Sequence, residues 1–228
     1  MESSRHARSV GNWVIDEACR RWRNGGARGC ACIGVNLFGE QLRAGDLPDI
    51  VTAALARRHL PTKVLELELK ENIAVRQDEG VLAALHALRD RGIAIDDFGT
   101  GFASLVTLQN VPVTRLKIDR SFITHVAEEA HDAAIVEAAL TLARKLGLRV
   151  IAEGVETEAQ ESLLRARGCA EGLGFRYGRA LPPAELLAAS WQRREDGAPI
   201  YPLAPAARQG HSPAQGHRRD GGAPLARA

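Results

Sequence analysis

The ten residues IAIDDFGTGF (93–102) set two adjacent carboxylates, Asp96 and Asp97, at the end of an apolar run and follow them with Gly99 and Gly101. Neighbouring like charges repel and are costly to desolvate, so a positive partner is expected there. Asking how each apolar run ends supplies the rest of a site. ACIGVN (31–36) ends in Asn36, VLELEL (64–69) carries Glu68, IAID (93–96) ends in Asp96, RLKI (115–118) carries Lys117, and VIAE ends in Glu153. Asn36, Glu68, Asp96, Asp97 and Glu153 are oxygen donors, the ligands that Mg2+, Mn2+ or Ca2+ prefer, whereas the His and Cys that suit zinc are absent from the set. Lys117 suits a phosphate oxygen or an attacking water. Taken singly, these residues have plainer readings: DDFGTG as an Asp-Gly turn, Lys117 as a solvated strand end. Five coincident strand ends are much harder to explain that way.

Such a set converges only if the runs are parallel strands, and the sequence between them supports this. Helix-period stretches occupy 13–22, 49–58, 78–91, a short piece near 104–110, 132–147 and 156–168. Strands alternating with helices of this length give parallel sheets, in a barrel or a doubly wound fold, and in a barrel the strand ends meet at one face. WVIDEACRRW (13–22) is read as presenting Trp13, Ile15 or Ala18, and Trp22, and DIVTAALARR (49–58) as presenting Ile50, Ala53 and Ala54. Strand parity sharpens the arrangement. If Asn36, Glu68, Asp96, Lys117 and Glu153 point inward, then Gly34, Glu66, Ala94, Arg115 and Ile151 do so one layer deeper. The outward set, Val35, Leu67, Ile95, Leu116 and Ala152, is then wholly apolar, as a helix-covered surface should be. Glu66 and Arg115 are predicted to form an interior ion pair. For both Asp96 and Asp97 to face the site, the strand is expected to stop at Asp96, with Gly99 and Gly101 supplying the freedom to turn Asp97 back.

The 228 residues allow one α/β barrel, and 30 basic against 28 acidic side chains give no reason to expect a nucleic-acid or acidic-membrane partner. Cys19, Cys30, Cys32 and Cys169 form no zinc-ligand spacing, and Cys30 and Cys32 read as packing residues. No leader-like or membrane-spanning run is found, so a cytoplasmic protein is expected. Residues 1–9 read as an N-terminal segment, 10–194 as the domain, and 195–228 as a disordered tail holding five of the ten prolines. Within that tail, His211 and His217 read as solvated bystanders.

IDDFGTGFASL, PVTRLKIDRSF and LGLRVIAEGVETEAQ closely resemble motifs of the EAL domain, the bacterial cyclic di-GMP phosphodiesterase. VNLFGEQLR, LELELKE and GRALPPAEL resemble further motifs, so the likeness covers about residues 10 to 190. It implies a modified TIM-type barrel in which Mg2+ or Mn2+ at the strand ends activates water, opening one phosphodiester of cyclic di-GMP to give pGpG. By motif, Asn36, Glu68 and Asp96 would ligate one ion, and Asp96 and Asp97 the second. Glu153 would ligate or position water at that second ion, and Lys117 would orient the nucleophilic water. Glu71 matches a glutamate that steadies the loop after DDFG, residues 97 to 104, through which the family dimerises. The motifs point to no residue that grips the nucleotide.

Departures from the family pattern accompany the likeness. The Glu-Ala-Leu signature on the family's first strand lies upstream of Met1, so a barrel lacking that strand is expected. Leu173, in CAEGLGFRYGR, stands where a glutamine belongs, Phe38 replaces a small hydroxyl residue, and RGIAIDD is about two residues short. Reduced or lost hydrolysis is therefore expected. The alternatives are a degenerate EAL domain that binds cyclic di-GMP or a protein partner, and a gene fragment.

Overall fold

The structure is a computed structural model that describes residues 5–25, 32–74, 79–101, 105–182 and 185. Cys30, His211, His217 and the expected tail lie outside the described residues. The chain opens with α1 (Arg5–Gly25), followed by β1 (Ile33–Asn36), α2 (Gly39–Arg43) and α3 (Leu47–Ala56). Next come β2 (Leu65–Lys70), α4 (Glu71–Ala74), α5 (Glu79–Ala87), β3 (Ile93–Phe98) and α6 (Leu105–Asn110). The order closes with β4 (Arg115–Ile118), α7 (Arg120–Thr124), α8 (Ala130–Leu146), β5 (Arg149–Glu153), α9 (Glu158–Ala166) and β6 (Glu171–Leu173). All neighbouring strands are parallel and run in chain order from β1 to β6.

This is the expected α/β architecture, with one strand, β6, that the sequence reading did not separate. Each crossover returns the chain to the same end of the sheet, so the strand C-termini line one face. The sheet's two surfaces follow from strand composition. In β2, LELELK, the period-two pattern places Leu65, Leu67 and Leu69 beneath the helices, all fully buried, and turns Glu66, Glu68 and Lys70 inward. Val35, Ile95, Leu116 and Ala152 are buried on that same outer side. Helices α1, α3 and α5 close one core over β1 to β3, and α7, α8 and α9 a second around Ile118, Ala152 and Val155. Burying a Leu or Ile side chain of this kind contributes about 1.5–3 kcal/mol.

Two helix faces differ from the sequence reading. Helix α1 starts at Arg5, inside the segment set apart as 1–9, and it buries Ala7, Gly11, Ile15 and Cys19, a four-residue stride. Trp13 falls off that stripe and is 63% exposed. In α3 the buried stripe is Leu47, Val51, Ala54 and Leu55, not Ile50 and Ala53. Helix ends are set locally. Thr157 accepts from the Gln160 N–H at 3.2 Å, while Gln160 Oε1 accepts from the Thr157 N–H at 2.9 Å, a reciprocal cap that starts α9 beside the end of β5. Gly147, left-handed at φ 71°, closes α8 and releases the chain into β5. Among the described residues no helix is long and apolar enough to cross a membrane.

Candidate metal centre at the strand ends

The inner face carries two stacked layers. In the deeper one Arg115 Nη1 lies 2.5 Å from Glu66 Oε2, the interior pair expected from strand parity, and both residues are buried. Its second terminal nitrogen, Nη2, lies 2.9 Å from Glu171 of β6, and Arg149 lies 3.7 Å from the same carboxylate. Two acids meet two guanidiniums there, and a guanidinium fork holds carboxylates in a fixed geometry.

The upper layer is built around Lys117, itself only 5% exposed. Its Nζ is 2.8 Å from Glu153, 2.9 Å from Asp96 and 3.0 Å from Glu68. The Glu68 side chain has room here because it lies over Gly34, two residues before its β1 register partner Asn36: a Cβ at Gly34 would fall 2.1 Å from Glu68 Oε1. Asn36, at the exposed end of β1, donates from Nδ2 to Glu68 Oε2 at 3.3 Å. Burial alone would lower the Lys117 ammonium, but hydrogen bonds to Asp96 and Glu153 and the charges of Glu68 and Glu153 outweigh it and hold it above the ordinary lysine value. Burial pushes the Glu68 carboxyl up against the pull of Lys117, with Asp96 and Glu153 adding to the rise. Burial likewise raises Glu153, opposed by Lys117 and reinforced by Asp96 and Asp97.

Asp97 joins the site by a route the sequence reading did not foresee. The strand does not stop at Asp96: β3 continues to Phe98, and its register against β4 shifts between Ile95 and Phe98. Asp97 itself is left-handed, φ 55°, a conformation Asp tolerates better than most residues. This irregularity breaks the strand's alternation, so two consecutive carboxylates reach one side. Asp96, Asp97 and Glu153 bring oxygens within 4.8 Å of one another. Three hard donors that close, with two further carboxylate or amide oxygens nearby, fit a divalent cation of the Mg2+ type.

Of the two glycines expected to turn Asp97, only Gly99 has a positive φ, 101°, and a Cβ there would meet the Phe122 ring at 2.8 Å. Gly101 serves by size instead, since a Cβ would lie 3.0 Å from Glu71 Oε1. Buried Glu71 accepts from the Gly99 N–H at 2.9 Å and the Gly101 N–H at 3.3 Å, tying the loop to the end of β2. Residues 102–104 of that loop lie outside the described residues. Leu173 pairs with Glu153 across the β5–β6 ladder and so places an apolar side chain at the level of the carboxylates. Phe38 offers no capping oxygen at the start of α2, and Gln41 turns back to accept its N–H at 3.0 Å.

Lys70, Glu171 and Arg149 were missed as charged partners. Lys70 lies two residues beyond Glu68, so one more parity step along β2 points to it, and its Nζ is 3.1 Å from Asp97 Oδ2. Glu171 sits in a three-residue strand too short to show a pattern.

A curled sheet of parallel strands with an acidic cluster and a buried lysine at its carboxyl end defines a barrel-type α/β protein with a candidate metal-binding cluster at the strand ends. The sequence model of the EAL domain matches residues 1–180, and the chain belongs to the EAL domain family. It is 45% identical over 184 residues to the bifunctional diguanylate cyclase/cyclic di-GMP phosphodiesterase MucR of Pseudomonas aeruginosa, covering 78% of this chain and 27% of that protein. It is 36% identical over 183 residues to the oxygen sensor protein DosP of Escherichia coli, covering 78% and 23%. The PaMucR phosphodiesterase in its c-di-GMP complex superposes with a TM-score of 0.72 at 44% identity, covering 78% of this chain and 74% of that one. The EAL domain of Mycobacterium smegmatis DcpA superposes with a TM-score of 0.74 at 34% identity, covering 80% and 84%. The chain spans about a quarter of the length of the curated relatives it matches, 27%, 22% and 23% of the first three.

Proposed function

We propose that this chain is a metal-dependent cyclic di-GMP phosphodiesterase domain that opens one phosphodiester to give pGpG, at a reduced rate. The carrying observation is the convergence of Asp96, Asp97 and Glu153 around one point beside a buried Lys117. MucR, a cyclic di-GMP phosphodiesterase by name, supports the substrate.

In this reading Asn36, Glu68 and Asp96 would hold one Mg2+ or Mn2+, Asp96 and Asp97 would hold a second, and Glu153 would ligate that second ion or position water at it. Such ions lower the pKa of water and offset charge that develops on the attacking and leaving oxygens. The chain's own groups do the rest. Lys117 is kept protonated by three carboxylates and would orient the nucleophilic water. Glu71 holds the backbone after Asp97 in the conformation that presents its carboxylate.

Leu173 favours a second reading, a domain that binds cyclic di-GMP without cutting it, because an alkyl side chain beside Glu153 neither ligates nor hydrogen-bonds. Incubating the purified protein with cyclic di-GMP and Mn2+, with pGpG read by chromatography and binding by calorimetry, separates the two. Formation of pGpG is the expected result. Binding without pGpG favours the receptor, and absence of both overturns the two readings together.

A further inference from the structure

The carboxylates of the upper layer are divided between two ammonium groups of different character. Lys117 contacts Glu68, Asp96 and Glu153, and its side chain is 6% exposed. Lys70 contacts Asp97 at 3.1 Å, and its side chain is 44% exposed. The first is locked in place by three partners at once. The second is a half-exposed pair on a flexible stem, the kind that contributes little stability and separates readily. Asp97 nevertheless supplies one of the three oxygens that cluster with Asp96 and Glu153. A divalent ion brought to that oxygen meets the Lys70 ammonium within a few ångströms, and their repulsion scales with the product of the two charges. Ammonium and ion cannot share the carboxylate cheaply.

We propose that Lys70 competes with a divalent cation for Asp97, so that an ion enters this position only as the Lys70 side chain swings out to solvent. The proposal rests on the metal-binding reading above and deepens it: Lys70 sets the metal concentration at which the Asp97 position fills. Four carboxylates opposed by two ammonium groups leave the layer two negative charges in excess. With Lys70 in place, that excess matches one divalent ion, and the second position fills last.

The test is a Mn2+ titration of the nucleotide-free protein, read by loss of the free-ion paramagnetic resonance signal, for wild type, Lys70→Met and Lys70→Arg. Circular dichroism melting verifies folding, and Lys70→Gln replaces Lys70→Met should that variant fail to fold. Removing the charge is expected to tighten the weaker Mn2+ site about tenfold, with Lys70→Arg staying near wild type. Equal binding by wild type and Lys70→Met overturns the competition. So does a Lys70→Arg variant that binds as tightly as Lys70→Met, because the gain would then come from the stem and not the charge. Absence of Mn2+ binding in every protein overturns the metal reading itself, and this proposal with it.

Discussion

Two charged layers line the inner face of the sheet, two residues apart on β2 and β4, and they are finished differently. The deeper layer pairs Glu66 and Glu171 with Arg115 and Arg149, equal numbers of each sign. The upper layer sets Glu68, Asp96, Asp97 and Glu153 against Lys117 and Lys70, and two negative charges remain. The cation types match the tasks. Arginine's planar fork fixes a carboxylate permanently, whereas lysine's compact charge can yield its partner to another cation. Strand β6 makes the same distinction in three residues, with Glu171 completing the deeper layer and Leu173 adding nothing polar to the upper one. A charge-balanced layer anchored on the buried Glu66–Arg115 pair is structural, and an unbalanced one at the mouth is a place for a ligand.

Four measurements test this contrast. Arg115→Met leaves Glu66 buried without its partner, and urea unfolding should show a loss of about 3–5 kcal/mol. A cost below about 1 kcal/mol would mean that the Glu66–Arg115 pair does not hold the deeper layer together. Next in size, Mn2+ at a hundred times its dissociation constant should stabilise the wild type by about 2.7 kcal/mol in thermal melts. Asp97→Asn should lose part of that rise, while an unmoved melting temperature would remove the upper layer's distinction. Leu173→Gln places an amide beside Glu153, and pGpG formation should rise about tenfold, the usual scale for a group supporting a metal centre. An unchanged rate would show that the upper layer lacks something other than this amide.

The smallest effect is a pH dependence in chelator-treated protein. Burial raises the Glu153 carboxyl in the native state, so the folded form takes up a proton before the unfolded chain does. The stability of wild type relative to Glu153→Gln should therefore rise as pH is lowered from 7 toward the ordinary glutamate value of about 4.3. A flat difference in denaturant midpoints would show that the upper layer does not penalise the charge.

Much of the centre was legible because period-two alternation reports which side of a strand a residue occupies. Glu66, Glu68, Arg115 and Lys117 were placed relative to one another by counting, and the Glu66–Arg115 pair follows from that count. The tandem Asp96-Asp97 demanded a cation, and the EAL motifs around it made the family recognisable. Counting fails where alternation breaks or a segment is short. Asp97 reaches the site through an irregularity in β3 and a left-handed φ, which alternation cannot foresee. The burial stripe of α1 skips Trp13 because its neighbours, not its own hydrophobicity, decide which face is covered. The strand ends, their donor chemistry and the inward and outward sets are written in the residue order, since these depend on local geometry alone. Only the tertiary structure decided which cation each carboxylate meets, with Lys117 on three and Lys70 on Asp97, since that depends on strand register and on how far each side chain reaches across the sheet.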